Sequence, residues 1–249
     1  MTHRPLRCLI VASTAGSVAN QALINPFFRG MIHSLVADHP CAALDMARAH
    51  GLPVQLNDES DPSRFCAWLL DYLRTHEIDY VFSFYTQFYS APIRAAYQDR
   101  LINLHPSLLP AFKGMDGFGD TWRYGARFAG NTFEFIDQAM DEGKVISQAC
   151  FPLDPATPVA VMRHRLFIQA CRGLLQVARW LSEDRIRVEG RIVTIAGAAY
   201  NDPEYSPALD FPAARTLDVP FPAEEALAGF GLACNGPGIP GTSQGAAER

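Results

Sequence analysis

The sequence has no C-x-x-C pair, no run of like charges and no apolar stretch approaching a membrane span, and each absence removes a class of protein. Its six cysteines, Cys8, Cys41, Cys66, Cys150, Cys171 and Cys234, are scattered among mostly apolar neighbours. That pattern fits buried free thiols in a reducing compartment better than a disulfide framework or a metal site, so no metal is expected. With 21 basic residues against 26 acidic ones the net charge is -5, and without a polybasic arm nucleic acid is not an expected partner. Met1 to Arg7 is basic, but the apolar stretch that follows, Cys8 to Ala12, is too short for a signal-peptide core. A cytoplasmic protein with no membrane contact is the expectation.

What is present is an alternation of short apolar runs and amphipathic segments over 249 residues, 49% of them hydrophobic, enough for one sizeable core. Cys8 to Ala12, Met31 to Val36, Val54 to Leu56 and Tyr80 to Phe84 read as strands. Cys41 to His50, closed by Gly51, and Pro62 to His76, with Phe65, Leu69, Leu70 and Leu73 on one face, read as helices. Such alternation predicts an α/β fold of the Rossmann-like kind, a mostly parallel twisted sheet with helices on both faces. Further on, Asn131 to Phe135 and Lys144 to Phe151 read as strands. Pro158 opens a long helix with Val159, Met162, Leu166, Ala170, Leu174, Val177 and Leu181 along its core face. Ile186 to Val188 and Arg191 to Ile195, turned at Glu189-Gly190, form a hairpin.

From Asp202 onward prolines recur, so residues 1–200 are expected to form the catalytic unit. Residues 201–249 are expected to form an extended Pro-rich segment with a short helix at Glu224 to Leu227 and a mobile final part. Leu209, Phe211, Val219 and Phe221 suggest that the earlier part of this segment lies against the domain or a second subunit, which allows a homodimer.

The stretch Leu101 to Gly114 is the chemical centre of the sequence. An apolar strand ends where His105, Pro106, Pro110 and Gly114 force a loop, placing Asn103 and His105 at a strand end, where open α/β sheets bind ligands. There Asn and His can offer an amide donor beside a group that titrates near neutrality. Asp141-Glu142-Gly143 can be a plain turn or a partner of these two residues. Several features have a bland reading beside a functional one. Ser13 to Asn20 is a strand-to-helix connection or an anion site, the aromatic run Tyr85-Thr86-Gln87-Phe88-Tyr89 is core or pocket wall, and Glu134 is a surface residue of an alternating strand or a site residue. In the glycine-rich segment Met115 to Thr121, Asp120 or Thr121 is the expected helix cap.

The string Asn103-Leu104-His105-Pro106-Ser107-Leu108-Leu109-Pro110 is highly specific. With Gly130 to Phe135 and Met140 to Gln148 following at the usual spacing, the chain resembles the 10-formyltetrahydrofolate-dependent formyltransferase family over roughly residues 5 to 195. The resemblance implies a formyl transfer with 10-formyltetrahydrofolate as co-substrate and no metal. It implies Asn103, His105 and Asp141 as catalytic residues, and a folate site formed by Thr86, Gln87, Phe88, Tyr89, Leu104, Asp137, Gln138 and Met140. The acceptor side would hold Gly16, Ser17, Asp116, Phe118 and Glu134.

The chain departs from the ribonucleotide enzymes of that family at three places. Ala15 and Val18-Ala19 interrupt the phosphate-loop pattern, Asp116 and Glu134 stand where histidines are found, and Ala170 stands where a substrate-contacting glutamate is expected. Two free carboxylates would favour a cationic acceptor over a phosphate. The expected partner is therefore a small amine or hydroxylamine of specialised metabolism or siderophore biosynthesis, a weaker likeness being to hydroxyornithine formyltransferases. Phosphoribosylglycinamide formyl transfer in purine synthesis is the alternative, and a catalytically silent folate-binding protein is the alternative of another class.

Overall fold

Runs such as Cys-Leu-Ile-Val-Ala are apolar on both faces, so they are stable only as central strands covered from two sides. In a computed structural model, which describes residues 4–222, they form the middle of an eight-stranded sheet. Strands β1 (Cys8–Ala12), β2 (Ile32–Ala37), β3 (Val54–Leu56), β4 (Tyr80–Phe84) and β5 (Leu101–His105) are parallel to one another. The last three, β6 (Phe128–Phe135), β7 (Lys144–Pro152) and β10 (Tyr205–Ser206), add antiparallel. The order is β10-β7-β6-β5-β4-β1-β2-β3, so the direction of winding reverses between β1 and β4.

Alternate residues of β1 feed two separate cores. Cys8, Ile10 and Ala12 pack with α1 (Ser17–Leu23), α2 (Pro26–Met31), α3 (Ala42–Ala49) and the long α7 (Val159–Ser182). Leu9 and Val11 pack on the other face with α4 (Pro62–Thr75) and α5 (Ala91–Ala96). A third cluster joins Phe118 of α6 (Gly117–Tyr124) to Phe151, Met162 and Leu166. The doubly wound sheet and the apolar stripe of α7 match the sequence reading, as does the hairpin of β8 (Ile186–Glu189) and β9 (Ile192–Ile195). The short helices α2 and α5 did not show in the periodicity because six residues are too few to display a face. Each opens with a proline in its first turn instead.

Beyond Asp202 the chain is less uniformly extended than its prolines suggest. Tyr205 and Ser206 pair with Ala149 and Gln148 to close the edge of β7, and Pro212–Thr216 form α8. Gln176, fully buried on α7, accepts the backbone N–H groups of Asp210 and Phe211, each at 2.8 Å, while Phe211 meets Phe27 edge-on. This segment therefore lies against its own domain. The helix expected at Glu224 to Leu227, and Cys234, lie outside the described residues.

Gly173 lets α7 approach the sheet. A Cβ there would stand 2.5 Å from the ring of Phe133 on β6, the residue beside Glu134. Gly173→Ala gains roughly 1 kcal/mol of helix propensity, but it overpacks a rigid ring at a cost of about 1–3 kcal/mol. Denaturant unfolding should show net destabilisation; an equal or higher midpoint would contradict this packing.

Candidate active site

The reversal of winding leaves a crevice at the carboxyl ends of β1, β4 and β5, where the connecting loops diverge. A cavity of about 220 Å³ lies there. Thr14 follows β1, Ser83 to Tyr89 come from the end of β4, and Asn103 to Pro106 from the end of β5. Gly114, Met115, Glu134, Ile136, Met140 and Asp141 complete the walls.

His105 is the fixed point of this cavity. Its Nδ1 lies 3.3 Å from Asp141 Oδ1 and its Nε2 is 2.8 Å from the carbonyl oxygen of Phe112. Both ring nitrogens thus face oxygen acceptors, and an N–H on either one can be directed to its partner. The two partners are held by unusual backbone, with φ of 54° at Phe112 and 55° at Asp141. Aspartate tolerates the left-handed region, but a bulky aromatic residue rarely enters it. Asp141 also accepts the Gly114 N–H at 2.7 Å, and Lys113 pairs with Glu142 at 2.7 Å. The loop after β5 and the turn between β6 and β7 are in this way joined across the histidine. Gly117 completes the fit, because a Cβ there would lie 2.8 Å from His105 Nε2.

Asn103 is set by strand register. It stands opposite Glu134 across the β5–β6 ladder, as His105 stands opposite Thr132. The Asn103 Nδ2 donates to Glu134 Oε1 at 3.1 Å, and the Gly143 N–H donates to Oε2 at 2.8 Å. Glu134 is only 1% exposed, so it is not a surface residue of an alternating strand. On its other side, the β6–β7 ladder is shifted between Phe133 and Glu134, an irregularity of the kind that re-aims a side chain. Burial pushes the Glu134 carboxyl above the usual carboxylate range, and nearby Asp141 adds to this, while the bonds from Asn103 and Gly143 and the nearby His105 oppose it.

Among the residues expected to hold folate, Thr86, Gln87, Phe88, Tyr89, Leu104 and Met140 do line the cavity. Tyr89, however, is fully buried and its hydroxyl donates to Ser83 Oγ at 3.0 Å, while Tyr85 stacks on Phe65. Two of the three aromatic rings of the run, Tyr85 and Tyr89, therefore stiffen the wall from the core side. Phe88 is the ring held at the rim, under the guanidinium of Arg94 at 4.4 Å. Asp137 and Gln138 border a separate cleft beside Arg94, which bonds the Asp137 carbonyl.

The acceptor-side expectations fare less well. Gly16 and Ser17 start α1 without lining the cavity; the loop residue that does so is Thr14. Asp116, not Asp120 or Thr121, caps α6 by accepting the Gly119 N–H, and Arg123 pairs with it at 3.0 Å. Phe118 is buried in the third core cluster. The two carboxylates are thus not a matched pair in the cavity, since Asp116 pairs with Arg123 outside it and both oxygens of Glu134, in its wall, accept hydrogen bonds within the protein. Thr14, Gly114, Met115 and Ile136 were missed; they belong to loops whose cavity contacts no periodicity encodes.

A family model described as "Formyl transferase" matches residues 10–178. The phosphoribosylglycinamide formyltransferase of Bacillus subtilis is 31% identical over 53% of this chain and 70% of its own length. That of Mycobacterium tuberculosis is 25% identical over 77% and 92% respectively. A crystal structure of glycinamide ribonucleotide transformylase 1 from Symbiobacterium toebii superimposes with a TM-score of 0.70 at 28% identity, covering 76% of this chain and 93% of that one. The chain belongs to the formyltransferase family. Within it, this is a 10-formyltetrahydrofolate-dependent enzyme, with that folate as co-substrate.

The residues present suit such a carrier. Leu104, Ile136, Phe88 and Met140 give apolar surface for a flat fused ring, beside the polar group at 103, 105 and 141. Among the described residues no group of three or more His, Cys, Asp or Glu side chains is placed to hold a metal ion, and no helix is long and apolar enough to cross a membrane.

The raised Glu134 carboxyl makes a prediction about stability. In the window between the ordinary value of 4.5 and its higher folded value, the folded chain holds this proton more tightly than the unfolded one. Its contribution to stability is therefore lost as pH rises through that window and stays level above it. Melting temperatures of wild type and Glu134→Gln should diverge from pH 4.5 upward, with wild type falling relative to the variant. A constant difference across that range would contradict the assignment.

Proposed function

We propose that the enzyme transfers the formyl group to an amine nitrogen through Asn103, His105 and Asp141, with phosphoribosylglycinamide as acceptor. The observation that carries the mechanism is the convergence of these three side chains on one cavity at the carboxyl ends of the strands. In the transfer, the acceptor nitrogen bonds to the formyl carbon, the carbonyl electron pair moves onto the formyl oxygen, and the carbon–nitrogen bond to the carrier then breaks. Negative charge on oxygen must be met, and one proton must pass from the acceptor nitrogen to the carrier nitrogen.

Asn103 has a second Nδ2 hydrogen free to meet that oxygen, and an imidazolium at His105 supplies a charge-assisted donor once Nε2 turns from the Phe112 carbonyl. Asp141 keeps the ring charged and oriented, and its carboxylate can hold the water that relays the proton.

The choice of acceptor is supported by the phosphoribosylglycinamide enzymes to which the chain is similar along most of their length. It is also supported by the loss of the main argument for a cationic acceptor, since Asp116 and Glu134 are both engaged elsewhere. A small amine or hydroxylamine is the second reading. It is favoured by Ala170, a buried residue without a polar atom on α7, and by the Ala15-Gly16-Ser17-Val18 loop.

Release of tetrahydrofolate from 10-formyltetrahydrofolate, followed with glycinamide ribonucleotide, simple amines, hydroxylamines and aminosugars, separates these readings. Release that requires the ribonucleotide supports the first, release that requires only a hydroxylamine or small amine supports the second, and no acceptor-dependent release refutes both. With the active acceptor, His105→Ala and Asp141→Asn should each lower kcat by ~100-fold or more. A rate near wild type in either would remove that residue from the mechanism.

A further inference from the structure

We propose that Glu134 is a positioning residue, which fixes the direction of the Asn103 amide and ties it to the turn that carries Asp141. This rests on the role given above to Asn103. The carboxylate forms no salt bridge among the described residues, although it is almost entirely removed from solvent. Burying an anion without a counter-charge is costly, and such a group is retained where its hydrogen bonds do something an apolar residue cannot.

Its bonds are divided between two segments. Oε1 takes the Asn103 amide at the end of β5, and Oε2 takes the Gly143 N–H, two residues past Asp141. Gly143 is fitted to this contact, because a Cβ there would collide with the Phe135 carbonyl and lie 2.8 Å from Oε2. From the other side Arg191 of the β8–β9 turn holds the carbonyls of Glu142 and Gly143, at 3.0 and 3.1 Å.

An ionised carboxylate accepts only, so it dictates which end of the Asn103 amide faces it. Nδ2 must point to Glu134, and its second hydrogen keeps one direction relative to the cavity. A glutamine at 134 breaks the rule. Its own amide cannot present acceptors to both Asn103 and Gly143, so with oxygen on the Gly143 N–H it turns its NH2 to Asn103, whose amide then reverses. The titratable groups facing Glu134 are Asp141 and His105, and both belong to the same site.

A mutant cycle tests this, using 10-formyltetrahydrofolate with glycinamide ribonucleotide or the acceptor active in its place. Glu134→Gln should lower kcat by ~10-fold or more, the scale expected when a reacting group is misdirected, with the KM for folate within threefold of wild type. Adding Glu134→Gln to Asn103→Ala should cost no more than a further threefold. Wild-type kcat in Glu134→Gln, or losses that multiply in the double variant, would overturn the proposal. If Asn103→Ala itself turns over normally, the role of Asn103 fails and that of Glu134 fails with it.

A second readout needs no acceptor. The side-chain amide resonances of Asn103 in 15N-labelled protein, assigned through Asn103→Asp, should shift further with pH in wild type than in Glu134→Gln, where only His105 and Asp141 remain to titrate nearby; equal behaviour in both would overturn it. Should Glu134→Gln fail to fold, Glu134→Asp keeps the charge but cannot span both partners. It should lose fivefold or more in kcat at unchanged folate affinity, and full activity would count against the bridge.

Discussion

An imidazole held between a carboxylate and a backbone carbonyl is the constraint around which this site is built. His105 lies between Asp141 and the Phe112 carbonyl, and both partners are held in left-handed backbone conformations. Strain of that kind persists where surrounding structure over-determines it. Here the surroundings are the Gly114–Asp141 and Lys113–Glu142 links and the close approach of Gly117. The fold supplies the rest. A winding reversal opens the crevice, and an antiparallel strand added beside β5 brings the Asp141 turn back to the histidine.

The concentration of charge has consequences for stability as well as chemistry. His105, Asp141 and Glu134 are 4%, 8% and 1% exposed, so their interactions are far less screened than at a surface. Two carboxylates stand beside one imidazole, and Glu134 is met by hydrogen bonds from Asn103 and Gly143 rather than by a basic side chain. An arrangement that is unfavourable for folding but fixed in geometry is what a site needs when charge must be met without reorganisation.

Much of this was legible in the sequence, and what was not failed for physical reasons. The doubly wound sheet, the core face of α7 and the hairpin at Glu189-Gly190 follow from periodicity and turn chemistry. Asn103, His105 and Asp141 could be named because a strand end and a specific string place them. Glu134 was assigned to the acceptor side of the site, and in the cavity wall it bonds to Asn103 and Gly143, partners the sequence does not reveal. Its alternation on β6 allows either face, and only the ladder shift at Phe133 and the register with Asn103 turn it inward. Asp116 was misjudged because a side chain that caps a helix and meets Arg123 seven residues on looks, in sequence, like a free carboxylate. The tail beyond Asp202 hid its contacts with Gln176 and Phe27 behind its prolines, since docking on a distant helix leaves no local pattern.

The convergence of three side chains on the reacting carbon beside an apolar slot is tested most directly by a crystal structure with a hydrolysis-resistant 10-formyl folate analogue. The fused ring should lie between Leu104, Ile136 and Phe88, with the formyl oxygen within hydrogen-bond distance of Asn103 Nδ2 and the His105 ring turned from the Phe112 carbonyl towards it. A ring bound elsewhere, or a formyl group with neither Asn103 nor His105 in reach, would contradict it.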